Sequence, residues 1–348
     1  MDEEHRILES MVHEFVQKEI QPLSKDIELT GIPEGLIRKL ADQGFMGAIV
    51  PDRFGGSNMD RAGYSILLRE IAMESPSVAF HIMMQNTFAA NILMANPEMG
   101  SIISEISKGR MNVSFYLPDL VGFDNSGKLA IRDNHITGTL SAFLNSRPDA
   151  CIVPVANEGY FLVHEGFTAS ERSEQLGLRG MAMSAMEFNS SLDRCQRIEI
   201  NTGSIIESSY LPLAAIATGI SRGSLAKAIS YAGQREAFHH KLRDFQAIAF
   251  GLSRASSQID MIDSHLLYLS STERDARREL MLKISAFDFA LEASKLSLQV
   301  HGGYGYLLDF GVEKYYRDAM FIAAITGNYS AEREKLSSLI FETKAGWI

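Results

Sequence analysis

Residues 299–330 read QVHGGYGYLLDFGVEKYYRDAMFIAAITGNYS, and their types and spacing raise the question of chemistry first. Asp309, Glu313, Lys314, Arg317 and Asp318 set acids against bases in one short stretch. Such a pattern serves either proton transfer or a satisfied ion-pair network, and the network is the expectation. The residues that follow, AITGN, hold no acid, base or thiol. Thr326 offers only a neutral hydroxyl, a poor base without an activating partner. Gly302 and Gly303 come after a long helical pattern and let the chain turn with φ > 0, either as a helix stop or to bring backbone close to a ligand. Upstream, SYAGQREAFHHKLRDFQAIAFGLS carries Arg235. Its planar fork of donors suits phosphate oxygens; the alternative is a surface pair with Glu236 or Asp244.

The elements that must position these groups fall into three stretches. Residues 1 to about 110 read as helices. Ile7, Leu8, Met11, Val12, Phe15, Val16 and Ile20 recur at three-to-four spacing, and Pro22 is expected to end or bend that helix. Pro33 and Gly44 bracket a second, short helix. Two more helices are expected to break near Pro76. From 111 to 203 the texture changes to short apolar or alternating runs such as CIVPV and YFLVHEG, separated by turn residues, which is strand punctuation. From about 207 the helical period returns in three long runs rich in Ala, Leu, Ile and Ser, whose small residues permit close helix approach. The domains expected are 1–110, helical; 111–203, β; and 204–348, a helical bundle.

Bulk composition narrows the function. A formal charge of -10 argues against nucleic acid, which needs a cationic face, but leaves room for a small anion at a local basic cluster. No apolar run reaches the roughly 18 residues of a membrane span. The acidic, amphipathic start MDEEHRILESMVHEF lacks the form of a secretory signal, so a cytoplasmic location is expected. Cys151 and Cys195 make neither a disulfide framework nor a zinc site, and read as two thiols in a reducing compartment. The stretch FHIMMQNTFAANILM reads as a buried helix.

The order helices, strands, helices, together with QVHGGYGY…DFGVEKYYRDA, SYAGQREAFHHKLRDFQAIAFGLS, LIRKLADQGFMGAIVPDRFGG and EQLGLRG, resembles the acyl-CoA dehydrogenase family over nearly the whole chain. The resemblance implies an α+β multidomain fold: an α-helical N-domain, a β-barrel-like middle domain and a C-terminal four-helix bundle, in a dimer or tetramer, homomeric or mixed. It implies FAD, an acyl-CoA or acyl-carrier thioester as substrate in fatty acid metabolism, and an electron-transferring flavoprotein as partner. The reaction implied is α,β-desaturation. A base takes a proton from Cα while a hydride leaves Cβ for the flavin, and positioned donors hold the developing enolate oxygen. Arg235 and Phe238 fall at the family's Arg-x-x-Phe, where the arginine grips the FAD pyrophosphate. Gln246 falls near the adenosine or ribityl part or on an exposed helix face. Gln299, Gly302 and Gly303 form the glycine turn, and Gly327, Asn328 and Ser330 fall where the family reaches the ADP portion.

The pattern departs at the reactive end. The family's catalytic Glu aligns with Thr326, whose backbone N–H would still serve the thioester carbonyl. The other position some members use aligns with Ser209. Glu207 lies two residues earlier, about 200° around a helix, and would swing in as a relocated base only if it preceded the helix. Tyr116-Leu117-Pro118 stands at the family's Thr-Glu-Pro, and Ala142-Phe143-Leu144 at its Trp-Ile-Thr. Ala142 therefore sets a methyl where the family's indole covers the flavin ring, Leu144 cannot donate as the threonine hydroxyl there does, and Tyr116 stands at the other flavin-side threonine. Two readings follow: a dehydrogenase-type flavoprotein with an atypical base, or a silent FAD- and thioester-binding subunit paired with a competent paralogue.

Overall fold

The computed structural model describes residues 2–116, 129–144, 147–326 and 329–342. Its first part is helical. α1 (Glu3–Phe15) starts at Asp2, whose carboxylate accepts from His5 N–H, and continues through a π turn (Val16–Ile20) and a 3-10 turn (Gln21–Leu23) into α2 (Ser24–Thr30). Pro22 therefore does not end the helical path. It sits in the first residues of a 3-10 turn, where its missing N–H costs nothing. α3 (Glu34–Asp42) begins after Pro33, and Gly44 takes the left-handed conformation (φ 76°) just beyond it. α4 (Arg61–Ala72) and α5 (Pro76–Met83) break at Ser75, whose hydroxyl caps Val78 N–H. α6 (Asn91–Met94) and α7 (Gly100–Ser107) complete this part.

Among the described residues the middle part forms two four-stranded sheets. One orders β1 (Val113–Phe115), β4 (Ala150–Val155), β5 (Gly159–Val163) and β8 (Cys195–Ile198), with β1 parallel to β4 and the rest antiparallel. The other orders β2 (Ala130–Arg132), β3 (His135–Leu144), β7 (Met183–Ser191) and β6 (Phe167–Ala169), all antiparallel. The alternating burial of β7 shows one face turned to a core of Tyr116, Leu140, Phe143, Val153, Val163 and Phe188. A bridge from Leu129 to Val155 links the two sheets.

The last part is built on α8 (Thr202–Gln234), α9 (Gln246–Ser270), α10 (Ala276–His301), α11 (Glu313–Thr326) and α12 (Tyr329–Glu342). Asn201 starts α8 by accepting from Ser204 N–H at 3.0 Å, five residues before the apolar period announces a helix. Gly219 and Gly223 let α8 lie directly on α4. A Cβ at Gly219 would stand 2.3 Å from Arg69 O, and one at Gly223 2.1 Å from Met73 O. At this crossing the buried Arg69 pairs with Glu9, Glu70 and Asp263, tying α1, α4 and α9 together. One apolar core runs through all three parts, from Val12 and Phe45 through Phe115 and Ile152 to Ile216 and Phe287. Among the described residues no helix is long and apolar enough to cross a membrane.

The acids and bases of 309–318 form the expected network. Arg317 pairs with Glu28 (3.0 Å) and Glu313 (3.2 Å), and Lys25 with Asp309 (3.2 Å). Lys314 holds Ser24 Oγ (2.6 Å) and the Glu74 carboxylate (3.4 Å). Asp318 accepts from Leu178 N–H at 2.6 Å. These contacts join α11 to α2, α4 and the β part, a structural task.

Candidate functional site

The sequence-selected residues gather at two ends of α10. Gln299 is at its C-terminal end, and Lys283, beside Thr326, is 16 residues earlier, about 24 Å along the helix axis.

At the C-terminal end, α8 stops at Arg235, whose backbone turns to an extended conformation and feeds a small hairpin, β9 (Glu236–Ala237) and β10 (His240–Lys241). The two turn residues, Phe238 and His239, both have positive φ (51° and 66°). That tight turn suits Asn-Gly, so a Phe-His pair there carries strain. The Phe238 ring at this turn is 86% exposed. The Arg235 guanidinium is exposed and lies 5.5 Å from the Tyr304 ring centroid. It makes no ion pair with a described residue: Asp244 is taken by Lys241 N–H and approached by Arg243. Glu236, like Arg235, is exposed. The glycine turn follows α10 directly. Gly302 has φ 57°, which only glycine adopts cheaply, and a Cβ on Gly302 or Gly303 would meet nothing within 4 Å. Its base is fixed by His301, whose Nδ1 bonds Ser297 O (2.8 Å) and whose ring stacks on Tyr231 (4.2 Å). Burial lowers the His301 pKa, against the hydrogen bond to Ser297 O, which raises it. Gln246, the first residue of α9, and Gln299 are exposed. The result is a free guanidinium, an unpartnered aromatic ring and open glycine backbone on one face, which suits a phosphate-bearing ligand with a flat ring.

At the other end, Thr326 closes α11. Its hydroxyl donates to Ile322 O (2.6 Å), and its carbonyl accepts from Lys283 Nζ (2.9 Å). Lys283 is buried and pairs with Glu332 in the first turn of α12, with the Tyr210 and Phe287 rings 5.5 and 5.3 Å away. Burial lowers its pKa, and the Glu332 carboxylate works the other way. Glu207 lies well inside α8, so the condition for swinging inward is not met; its carboxylate pairs with Lys335 of α12 at 3.1 Å. Ser209 is buried, and its hydroxyl donates to Ile206 O. Ser330 is exposed at the start of α12. Gly327 and Asn328, like Leu117 and Pro118, lie outside the described residues.

The two ring-side candidates do not join either group. Tyr116 is buried in the sandwich core, 5.2 Å from the Phe143 ring. Leu144 is buried at the end of β3, with Ser114 Oγ donating to its carbonyl at 2.8 Å. Ala142 sits at the β3–β7 register shift with φ 61°. Their side chains fill the core because β3 and the segment after β1 turn their apolar groups inward.

The model of the acyl-CoA dehydrogenase N-terminal domain matches residues 2–99, and that of the C-terminal domain residues 178–338. The chain belongs to the acyl-CoA dehydrogenase family. It is 23% identical over 97% of its length to a 3-(aryl)acrylate reductase of Clostridium sporogenes, covering 98% of that protein. It is 24% identical over 98% of its length to the CarC subunit of the caffeyl-CoA reductase–Etf complex of Acetobacterium woodii, covering 99% of it. The butyryl-CoA dehydrogenase of Megasphaera elsdenii shares the fold at a TM-score of 0.87 and 19% identity, with 98% and 99% of the two chains covered. Within this acyl-CoA dehydrogenase fold, sequence reasoning missed Lys283, Glu332 and Lys335. Lys283 stands in the apolar run LMLKISAF, where a buried charge needs a partner, but that partner lies 49 residues away.

Proposed function

We propose that the chain is an acyl-CoA dehydrogenase-type flavoprotein that binds FAD and an acyl thioester, and that its desaturation chemistry, where present, uses a base other than the family's Glu. The observation that supports this reading is the free Arg235 beside Tyr304 and the open Gly302–Gly303 turn, on a chain whose two ends match the family. Bound FAD would supply hydride acceptance and donation. Arg235 would hold phosphate, Phe238, Gln246 and Gln299 would lie along the cofactor, and Gly302 and Gly303 would let it approach the backbone. Gly327, Asn328 and Ser330 would extend that grip. The separation along α10 suits a site completed between two copies or with a paralogue, and exposed Phe238, Tyr306 and Leu308 offer an apolar face for that contact. An electron-transferring flavoprotein would exchange electrons with the reduced cofactor; the relative named as part of an Etf complex supports that partner.

The second reading is a catalytically silent subunit, and one observation favours it. The hydroxyl at Thr326 is spent on Ile322 O, and the nearest acid of the alternative position, Glu207, is paired with Lys335. The thioester would then be bound with no carboxylate to take its α-proton.

The test is anaerobic mixing of purified, flavin-loaded protein with saturated acyl thioesters of several chain lengths. Bleaching of the flavin absorbance supports the first reading, and Glu207→Gln then slows it by at least ~100-fold if Glu207 is the base. Binding without bleaching supports the second. Arg235→Ala should weaken FAD binding tenfold or more, the effect of about 1.5–3 kcal/mol for a charged hydrogen bond.

A further inference from the structure

A cavity of about 1070 Å³ opens where α3 and the end of α2 face the β part. Its lining runs from Thr30 to Ala182 and includes none of the candidate cofactor or base residues. Five cationic side chains from four separate segments line it: Arg38 on α3, Lys108 and Arg110 after α7, Arg147 before β4, and Arg172. Three acids line it, Glu34, Asp42 and Asp149. In a chain of net charge -10 this is a local reversal of sign.

The acids nearby absorb that charge only in part: Arg38 pairs with Glu34 one turn earlier on α3 at 3.5 Å, an exposed and therefore weak pair. Lys108 and Arg110 share one carboxylate, Glu105, at 3.5 and 3.9 Å. Arg172 is held by carbonyls, donating to Leu29 O (2.9 Å) and to Glu28 O and Arg179 O, so its charge meets no acid there. Asp149 already accepts from Asn112 N–H at 2.7 Å. Between the charges the wall is apolar, with Ile37, Met46, Met111 and Met181. The buried ring of His81 also lines it, and its Nε2 has no hydrogen-bond partner among the described residues.

The walls are tied together before any ligand arrives. Ile32 N–H donates to Gly180 O (3.3 Å) and Gly180 N–H to Ser77 Oγ (3.2 Å), joining α2, α5 and the segment before β7. Gln85 donates to Asn112 Oδ1 (2.8 Å) and accepts from Val113 N–H (3.0 Å), fixing the floor strand. Gly109 packs so tightly that a Cβ would lie 2.8 Å from Ala41 Cβ. A preformed cleft of this size with apolar walls and a few convergent charges has the makings of a small-molecule site.

We propose that this cavity binds a small organic carboxylate with an apolar body, its head among the cationic side chains and its body against the methionine and isoleucine wall. The binding is separate from the cofactor and thioester groups along α10. The predicted occupant is monoanionic and amphiphilic, since a compact inorganic anion would leave the apolar wall wet.

Isothermal titration of the purified full chain, saturated with FAD, with octanoate and with octanamide tests this. One octanoate site is expected, with octanamide at least tenfold weaker and octanoate affinity falling with added salt. Arg38→Ala combined with Lys108→Ala should weaken octanoate about tenfold, and Met111→Trp, which fills the cleft, should abolish binding. No octanoate binding, equal binding of the neutral amide, or binding untouched by both variants would overturn the proposal. The amide comparison needs no variant, so it decides even if a substituted chain misfolds.

Discussion

The ammonium of Lys283 lies 2.9 Å from the carbonyl of Thr326, the residue that the family resemblance puts at the catalytic carboxylate's place. The same ammonium pairs with Glu332, so one buried charge joins the last turn of α11 to the first turn of α12. Three residues further along α12, Lys335 reaches Glu207 and the Tyr210 hydroxyl. Both places where an acid was sought are thus wired to α12 rather than left free.

That wiring predicts a large cost for breaking it. Lys283→Met leaves Glu332 and the Thr326 carbonyl without their cation, and should destabilise the fold by about 3–5 kcal/mol. Urea unfolding checks this. Adding Glu332→Gln to Lys283→Met should recover part of the loss, because the orphaned charge is gone; no recovery would show that the two are not coupled.

Placing a carboxylate at the turn is the second substitution of interest. Thr326→Glu should give flavin bleaching with acyl thioesters, faster than the parent protein, if the rest of the site is intact. Stopped-flow absorbance reads it. A variant that folds, holds flavin and gains nothing would show that the reactive end has lost more than its base.

Asp318 predicts a pH dependence of stability. It is fully buried, its Oδ2 has no partner among the described residues, and burial, then the nearby Glu28, push its pKa from the ordinary 3.8 to about 7. Leu178 N–H, Arg317 and Lys314 act in the opposite direction and do not prevail. A raised folded pKa means that the native state holds the proton longer than the unfolded chain. The contribution of Asp318 is therefore complete below about pH 4 and lost as pH rises through about 7. The unfolding free energy of the parent minus that of Asp318→Asn should fall over this window and level off above it. A difference that is flat or rising with pH would contradict this placement.

The α4–α8 contact makes a steric prediction. Gly223→Ala sets a methyl against Met73 O, a backbone atom that cannot rotate away, and should cost about 1–3 kcal/mol. Gly233→Ala, on the same helix with nothing within 4 Å, should be neutral or slightly stabilising. Thermal unfolding of the two variants side by side separates a real notch from a general dislike of substitution in α8.

The order of helices, sheets and helices was legible because each has its own apolar period, and strands here are cut by turn residues. The start of α8 was not. Asn201 looks like a strand-end turn residue, and only its hydrogen bond to Ser204 N–H reveals a cap. That shift matters for function, since it puts Glu207 inside the helix. At Pro22 the rule that proline breaks a helix gave way to a 3-10 turn that accommodates it. The ion-pair network of 309–318 was readable from its charges only together with the family resemblance, since the same spacing also fits proton transfer. The fate of Tyr116 and Leu144 was not: alignment gave their positions along the strands, while the β3 register decided that their side chains face the core.

The most direct measurement is the visible spectrum of the freshly purified protein, before and after titration with an acyl thioester. A bound flavin whose absorbance shifts as thioester is added is the predicted result. A colourless protein that takes up no added FAD and shows no response to thioester would contradict it.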